Sequence, residues 1–130
     1  MTVVGLASKP RASSGSPAID RAVLGEWLDA DDSAINALLL LFSESIDSDV
    51  VSMRNLLAVD DLTQFATSAH RLRGAALSMG ARALADFAGV LFTAALAKDH
   101  NACREGLPEL EALVQRVEAE IPGCVPAAAI

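Results

Sequence analysis

The sequence predicts an all-α protein: an up-and-down four-helix bundle with a short additional helix at its N-terminal end. Three observations carry that expectation. Apolar residues recur at spacings of three and four along four separate stretches, which places them on one face of a helix in each. The stretches are joined by short polar connections, as antiparallel neighbours in a bundle are. Alanine and leucine, both strong helix formers, dominate the chain, proline is sparse in its middle and tyrosine is absent.

Residues 1–17 hold Ser, Pro, Gly, Ala and two basic residues without periodicity and read as a mobile tail. Ile19, Val23, Leu24, Trp27 and Leu28 form the apolar side of the short first helix, with Asp20 placed to cap it. Trp27 reads as a lid on the bundle rather than a ligand-stacking residue. An acidic turn, residues 29–32, leads to a helix start at Asp32 or Ser33. Ile35, Leu38, Leu39, Phe42, Ile46, Val50, Met53 and Leu57 then repeat at helical spacing. They predict one helix of about 25 residues, with Asp47-Ser48-Asp49 as a place where it frays and residues 38–41 in the core. Val59-Asp60-Asp61 is the next turn, where Asp60 or Asp61 caps and Gln64 completes a capping box.

Residues 62–79 carry Leu62, Phe65, Ala69, Leu72, Ala76 and Met79 on one stripe, and Gly80 suits the left-handed position that ends a helix. Residues 82–98 form the next helix, with Leu84, Phe87, Ala88, Leu91 and Ala95 on its seam and Phe92 and Leu96 on the flank. Residues 98–101 are a polar connection in which His100 reads as a solvated turn residue. Pro108 fits the first turn of a last helix bearing Leu110, Leu113, Val114, Val117 and Ile121, with residues 102–105 open to a turn before it. Pro122-Gly123 stops it. The expected organisation is a tail (1–17), a bundle (18–122) and a C-terminal tail (123–130).

At 130 residues, 52% hydrophobic and 21% charged, the chain is long enough to bury one sizeable core and apolar enough to fold. A net charge of −7 without a basic cluster excludes the lysine and arginine footprint that nucleic-acid binding needs. Cys103 and Cys124 lack the C-x-x-C spacing and read as separate thiols in a reducing compartment. His100 lies near Cys103, but no second ligand pair follows, so no metal site is expected. The longest uncharged runs, residues 33–43 and 87–97, are shorter than the roughly 18 apolar residues of a membrane span. No secretory signal is evident, and a cytoplasmic location is the expectation.

One stretch stands apart. At roughly 100° per residue, His70 falls about 125° from the centre of the 62–79 stripe, together with Thr63, Thr67, Gly74 and Ser78. Its imidazole is therefore expected to point outward, with Arg73 one turn on and Gly74 at i+4. A glycine in a helix interior costs about 1 kcal/mol against alanine, so a bare spot beside an exposed imidazole is useful where something bulky must approach.

Ala69-His70-x-Leu72-Arg73-Gly74-Ala75, followed by Gly80-Ala81 and Leu84-Ala85, resembles the signature of histidine-containing phosphotransfer (HPt) domains of two-component phosphorelays. An I-D-x-x-V-L opening at residues 19–24 and an acidic turn before the histidine helix are similar to that family too. The resemblance covers about residues 19–121 and implies the same four-helix bundle. It also implies that His70 is the phosphoacceptor, relaying a phosphoryl group between aspartates on receiver domains of a hybrid histidine kinase and of response regulators. Arg73 then stabilises the phosphate with its fixed charge, and Gly74 leaves steric clearance. Mg²⁺ is expected on the partner receiver, with no cofactor of the chain's own and no metal site. Thr67, Leu77, Ser78 and Phe92 are the candidate docking residues; Leu77 and Phe92 serve equally well as rim core, and Thr67 and Ser78, like Thr63, as ordinary solvent-facing residues. Two departures stand out: Arg73 occupies a position where lysine is commonest, and Phe92 one where many relatives carry glutamate.

No nucleotide-binding glycine loop and no H-R-D or D-F-G pattern occurs, so no ATP-dependent kinase activity is expected. The tails favour an independent chain, a monomer, over the phosphoacceptor domain of a larger histidine kinase. A helical adaptor that never carries phosphate is the reading from a different class. A di-metal carboxylate bundle is remote, because no Glu precedes either histidine by three.

Overall fold

Aspartates begin the helices. Asp31 accepts from the backbone N–H groups of Ser33 and Ala34, Asp61 from Gln64 and Asp99 from Ala102, each satisfying donors that a helix start leaves without partners. Asp20 likewise accepts from Ala22 at 3.1 Å. In a computed structural model describing residues 17–28 and 31–124, five helices follow from these starts. They are α1 (Arg21–Leu28), α2 (Asp32–Ala58), α3 (Leu62–Ser78), α4 (Arg82–Leu96) and α5 (His100–Ala119). Of the expected tails, 1–17 and 123–130, all but residues 17, 123 and 124 lie outside what is described, as do Asp29 and Ala30 of the acidic turn and the lid role of the Trp27 side chain.

The three turns between the long helices share one design. The C-terminal residue α2 leaves behind, Asp60, is left-handed (φ 58°), as are Gly80 after α3 (φ 79°) and Lys98 after α4 (φ 59°). The residue after each, Asp61, Ala81 or Asp99, sends its N–H back to the carbonyl of Leu56, Ala76 or Ala94 at 2.8–2.9 Å. That is the Schellman closure. The same residue is the N-cap of the following helix, so each reversal takes only three residues, 59–61, 79–81 or 97–99. Such turns fold α2, α3, α4 and α5 into antiparallel neighbours, and α5 closes the ring against α2. Every element among the described residues is a helix, and the bundle is the four-helix one expected, with α1 lying against α2.

The inward stripes meet in a core of Leu39, Ile46, Met53, Phe65, Leu72, Leu84, Leu91 and Leu110, all essentially without solvent exposure. Burying each such side chain contributes about 1.5–3 kcal/mol. Gly80 ties the N-terminal approach to this body: its carbonyl accepts from Asp20 N–H at 2.9 Å. Glu120 holds the residues just before it, accepting from the N–H groups of Ala18 at 2.6 Å and Ile19 at 3.0 Å.

Several expectations need correction. α2 does not fray at Asp47-Ser48-Asp49; it runs unbroken, because Asp49 is buried and accepts from Arg71 of α3. Leu41, placed in the core with residues 38–41, is 62% exposed, since it lies on the face of α2 turned away from Leu39. Pro108 is inside α5, not in its first turn. The Asp99 cap starts that helix at His100, so residues 102–105 are helical as well. Cys103, buried, and Cys124 are separate thiols, as expected.

On the α2–α5 side a polar cluster is enclosed. Ser43 Oγ donates to Glu118 Oε2 at 2.9 Å and lies 3.3 Å from Cys124 Sγ. Glu118 is only 2% exposed. Burial first, and then the neighbouring Asp47 carboxylate, push the Glu118 carboxyl up to about 7, against a smaller opposing effect of the Ser43 bond.

Candidate functional site

The face opposite that cluster is built by α3 and α4. Ala69, Leu72 and Ala76 of α3 are fully buried, and that seam fixes which residues turn outward. His70 is exposed. Its imidazole packs against the ring of Phe92 on α4, with centroids 5.3 Å apart and planes at 41°. Neither ring nitrogen has a side-chain partner among the described residues, so the nucleophilic lone pair is left to solvent or to a visitor.

Arg73, one turn on, is exposed and has no ion-pair or hydrogen-bond partner among the described residues. Its stem lies over Gly89 of α4: a Cβ placed there would stand 3.4 Å from Arg73 Nε and 3.5 Å from Cδ. Gly74 is exposed, and a Cβ built on it meets nothing within 4 Å. The imidazole, an uncommitted cation and an empty spot thus sit within two turns of one helix.

The other residues singled out from the sequence fall on the same side without converging on one point. Thr67 and Ser78 are exposed and direct their hydroxyls to the carbonyls of Thr63 (3.3 Å) and Gly74 (3.0 Å) on their own helix. Leu77 is 41% exposed and Phe92 half-buried. Sequence reasoning missed Gly89 and Lys98. Lys98 Nζ donates to Thr63 Oγ1 at 2.9 Å, one end of a seam that continues through His70–Phe92 to Arg73–Gly89. The antiparallel register could have found Gly89: three residues forward from His70 on α3 is three back from Phe92 on α4.

His100 is not the solvated turn residue expected. It is half-buried at the start of α5, with Nε2 3.1 Å from Asp60 Oδ1 and Nδ1 2.8 Å from Arg104 Nη2. A guanidinium can only donate, so Nδ1 accepts and Nε2–H faces Asp60. Both nitrogens of this second imidazole are engaged, whereas among the described residues those of His70 have no side-chain partner. Among the described residues no cluster of three or more His, Cys, Asp or Glu side chains able to hold a metal forms, and no helix is long and apolar enough to cross a membrane.

Fold and site together define a helical bundle that presents one open imidazole on its surface. The family model for the Hpt domain matches residues 37–120, well over half of the chain. The protein belongs to the Hpt domain family, and phosphotransfer in two-component phosphorelays, with receiver domains as partners, is the role that membership gives it. No curated protein and no solved structure gives a match.

Proposed function

We propose that the protein relays a phosphoryl group between aspartates of receiver domains, from a hybrid sensor kinase to a response regulator, through phospho-His70. The observation that carries this reading is the exposed His70 imidazole, its nitrogens without described side-chain partners, beside the bare Gly74. An imidazole is a fair nucleophile near neutral pH because much of it is unprotonated there. The lone pair of one ring nitrogen attacks the phosphorus of an aspartyl phosphate. The N–P bond forms as the P–O bond to the aspartate breaks, and the aspartate leaves as a carboxylate. The other ring nitrogen keeps its proton or passes it to water. Return to a second aspartate is the reverse.

Such a transfer asks mainly for positioning and charge compensation. α3 supplies a rigid mount for His70, Arg73 donates to the phosphoryl oxygens, and Gly74 admits the phosphoryl group with the facing loops of the receiver. Thr67, Leu77, Ser78 and Phe92 provide docking contacts. Mg²⁺ belongs to the receiver, and the chain needs no cofactor of its own. The setting is a cytoplasmic monomer without ATP-dependent kinase activity. Mixing the full chain with a receiver domain carrying aspartyl [³²P]phosphate tests this: an acid-labile label should reach the wild type and fail to reach His70→Gln. Label retained by His70→Gln would move the site elsewhere.

A further inference from the structure

Glycine is a poor residue for a helix interior, and its missing side chain often makes room for something else. In α5 that something is the core, since a Cβ on Gly106 would stand 2.5 Å from Leu91 Cδ2. Gly89, in the interior of α4, has a different neighbour. It is half-buried and its φ is not left-handed. Apart from its chain neighbours and its own helix backbone, the only described atoms within 4 Å of a Cβ built there are Nε and Cδ of Arg73, at 3.4 and 3.5 Å. Arg73 in turn has no hydrogen-bond or ion-pair partner among the described residues, so packing sets its direction. Gly89 lies one turn along α4 from Phe92, as Arg73 lies one turn along α3 from His70. The imidazole and the arginine stem therefore lean onto the same helix, side by side.

We infer that Gly89 is a positioning residue: the gap it leaves on α4 beds the stem of Arg73 and keeps the guanidinium beside the His70 imidazole, where a phosphoryl group arrives. The inference rests on His70 being the phosphoacceptor and Arg73 the cation that holds the phosphoryl oxygens, and it deepens that reading by giving α4 a part in it. An arginine stem is long and mobile, and seating it beforehand removes an ordering cost that would otherwise fall on the transfer step. A side chain larger than a methyl at position 89 would fill the bed and turn Arg73 out toward solvent. Losing one pre-ordered side chain of this kind should slow transfer by roughly three- to tenfold.

The test uses a donor too small to dock, potassium phosphoramidate, on the full chain, so that a side chain on α4 cannot act by obstructing a receiver. A ring nitrogen attacks its phosphorus, the donor's P–N bond breaks, and ammonia leaves, carrying off as ammonium the proton that the ring gives up. ³¹P NMR follows the initial growth of the phosphohistidine signal, with His70→Gln identifying what belongs to His70. Gly89→Leu should slow that growth by roughly three- to tenfold. Gly89→Ala should slow it less, since its methyl meets Arg73 at ordinary contact distance. Arg73→Ala should slow it by about tenfold or more. Adding Gly89→Leu to Arg73→Ala should slow it no further, because no guanidinium is left to displace. Gly89→Met, unbranched and of similar volume, carries the same expectation in case the leucine variant unfolds. A folded Gly89→Leu or Gly89→Met protein that reacts as fast as the wild type overturns the positioning role while leaving the phosphoacceptor intact. Equal slowing with and without the Arg73 guanidinium does the same, as does an unchanged rate in Arg73→Ala. Slowing seen with a phosphorylated receiver but not with phosphoramidate also overturns it, and makes Gly89 a clearance for the partner. Absence of any His70 signal in the wild type overturns both the inference and the reading beneath it.

Discussion

Arg71 of α3 closes on the buried carboxylate of Asp49 on α2, with Nη2 2.8 Å and Nε 3.0 Å from the same oxygen. The next residue back, His70, leans the other way, onto Phe92 of α4. Between them Ala69 and Leu72 point into the core. These three directions fix the roll of α3 about its axis, and with it the outward setting of the imidazole. A helix turned by one residue's worth would bury His70 and expose Leu72.

Arg71→Ala leaves the Asp49 carboxylate, 5% exposed, without its cation, and the second oxygen of that group already lacks a partner among the described residues. Loss of about 1–3 kcal/mol is expected, because a buried carboxylate keeps its desolvation cost when the partner goes. Arg82→Ala, which removes an exposed pair with Asp86 at 3.5 Å, should change stability by less than about 0.5 kcal/mol. Urea titration of both variants measures the contrast.

Gly74→Ala should move stability and activity in opposite directions. Nothing lies within 4 Å of the added methyl, so alanine's helix propensity gains about 1 kcal/mol and the melting temperature rises. Transfer from a phosphorylated receiver should slow, and Gly74→Leu should slow it further, since each fills the approach to His70. Melting curves and single-turnover transfer rates read the two effects separately.

Gly80→Ala should be costly. The left-handed φ of 79° disfavours any Cβ, and that atom would stand 2.4 Å from the backbone oxygen of Asp20, which has no flexible end to yield. A loss of about 2 kcal/mol or more is expected, appearing as a lower melting temperature and as faster hydrogen exchange of the Asp20 amide bonded to Gly80.

Glu118 gives the fold an unusual pH dependence. Its carboxyl is raised from 4.5 to about 7 in the folded state, so the native protein binds a proton that the unfolded chain has released. The stability this supplies is complete below about pH 4.5 and is lost as the pH rises through about 7. Asp47 faces the group from α2, and Arg54 and Glu111 pair across the same groove, so the titration belongs to the cluster. In Glu118→Gln the wild-type decline between pH 4.5 and 8 should shrink by about 2–3 kcal/mol, leaving the variant the more stable protein at pH 8. Denaturant midpoints across that range check it.

The helices and the outward His70 were legible because both are local. Spacings of three and four reveal a helix face, and His70, Arg73 and Gly74 lie within two turns of one another. What could not be read depends on distant partners. Asp49 looks like a fraying signal until Arg71, 22 residues on, supplies its cation. His100 looks solvated until Asp60 and Arg104 are placed around it. Pro108 reads as a helix start because its position inside α5 depends on the left-handed Lys98 and the Asp99 cap, and non-glycine residues rarely advertise that conformation. Gly89 acquires meaning only from the register of α4 against α3, which also sets Phe92, already a docking candidate, against the His70 ring.

Mapping the phosphoryl group after transfer from a phosphorylated receiver, by mass spectrometry under conditions that preserve P–N bonds, tests the central claim most directly. The group should be found on the peptide bearing His70, with His100, whose nitrogens are engaged, left unmodified. A phosphoryl group on any other residue, or a wild-type protein that takes none from any receiver tried, would contradict it.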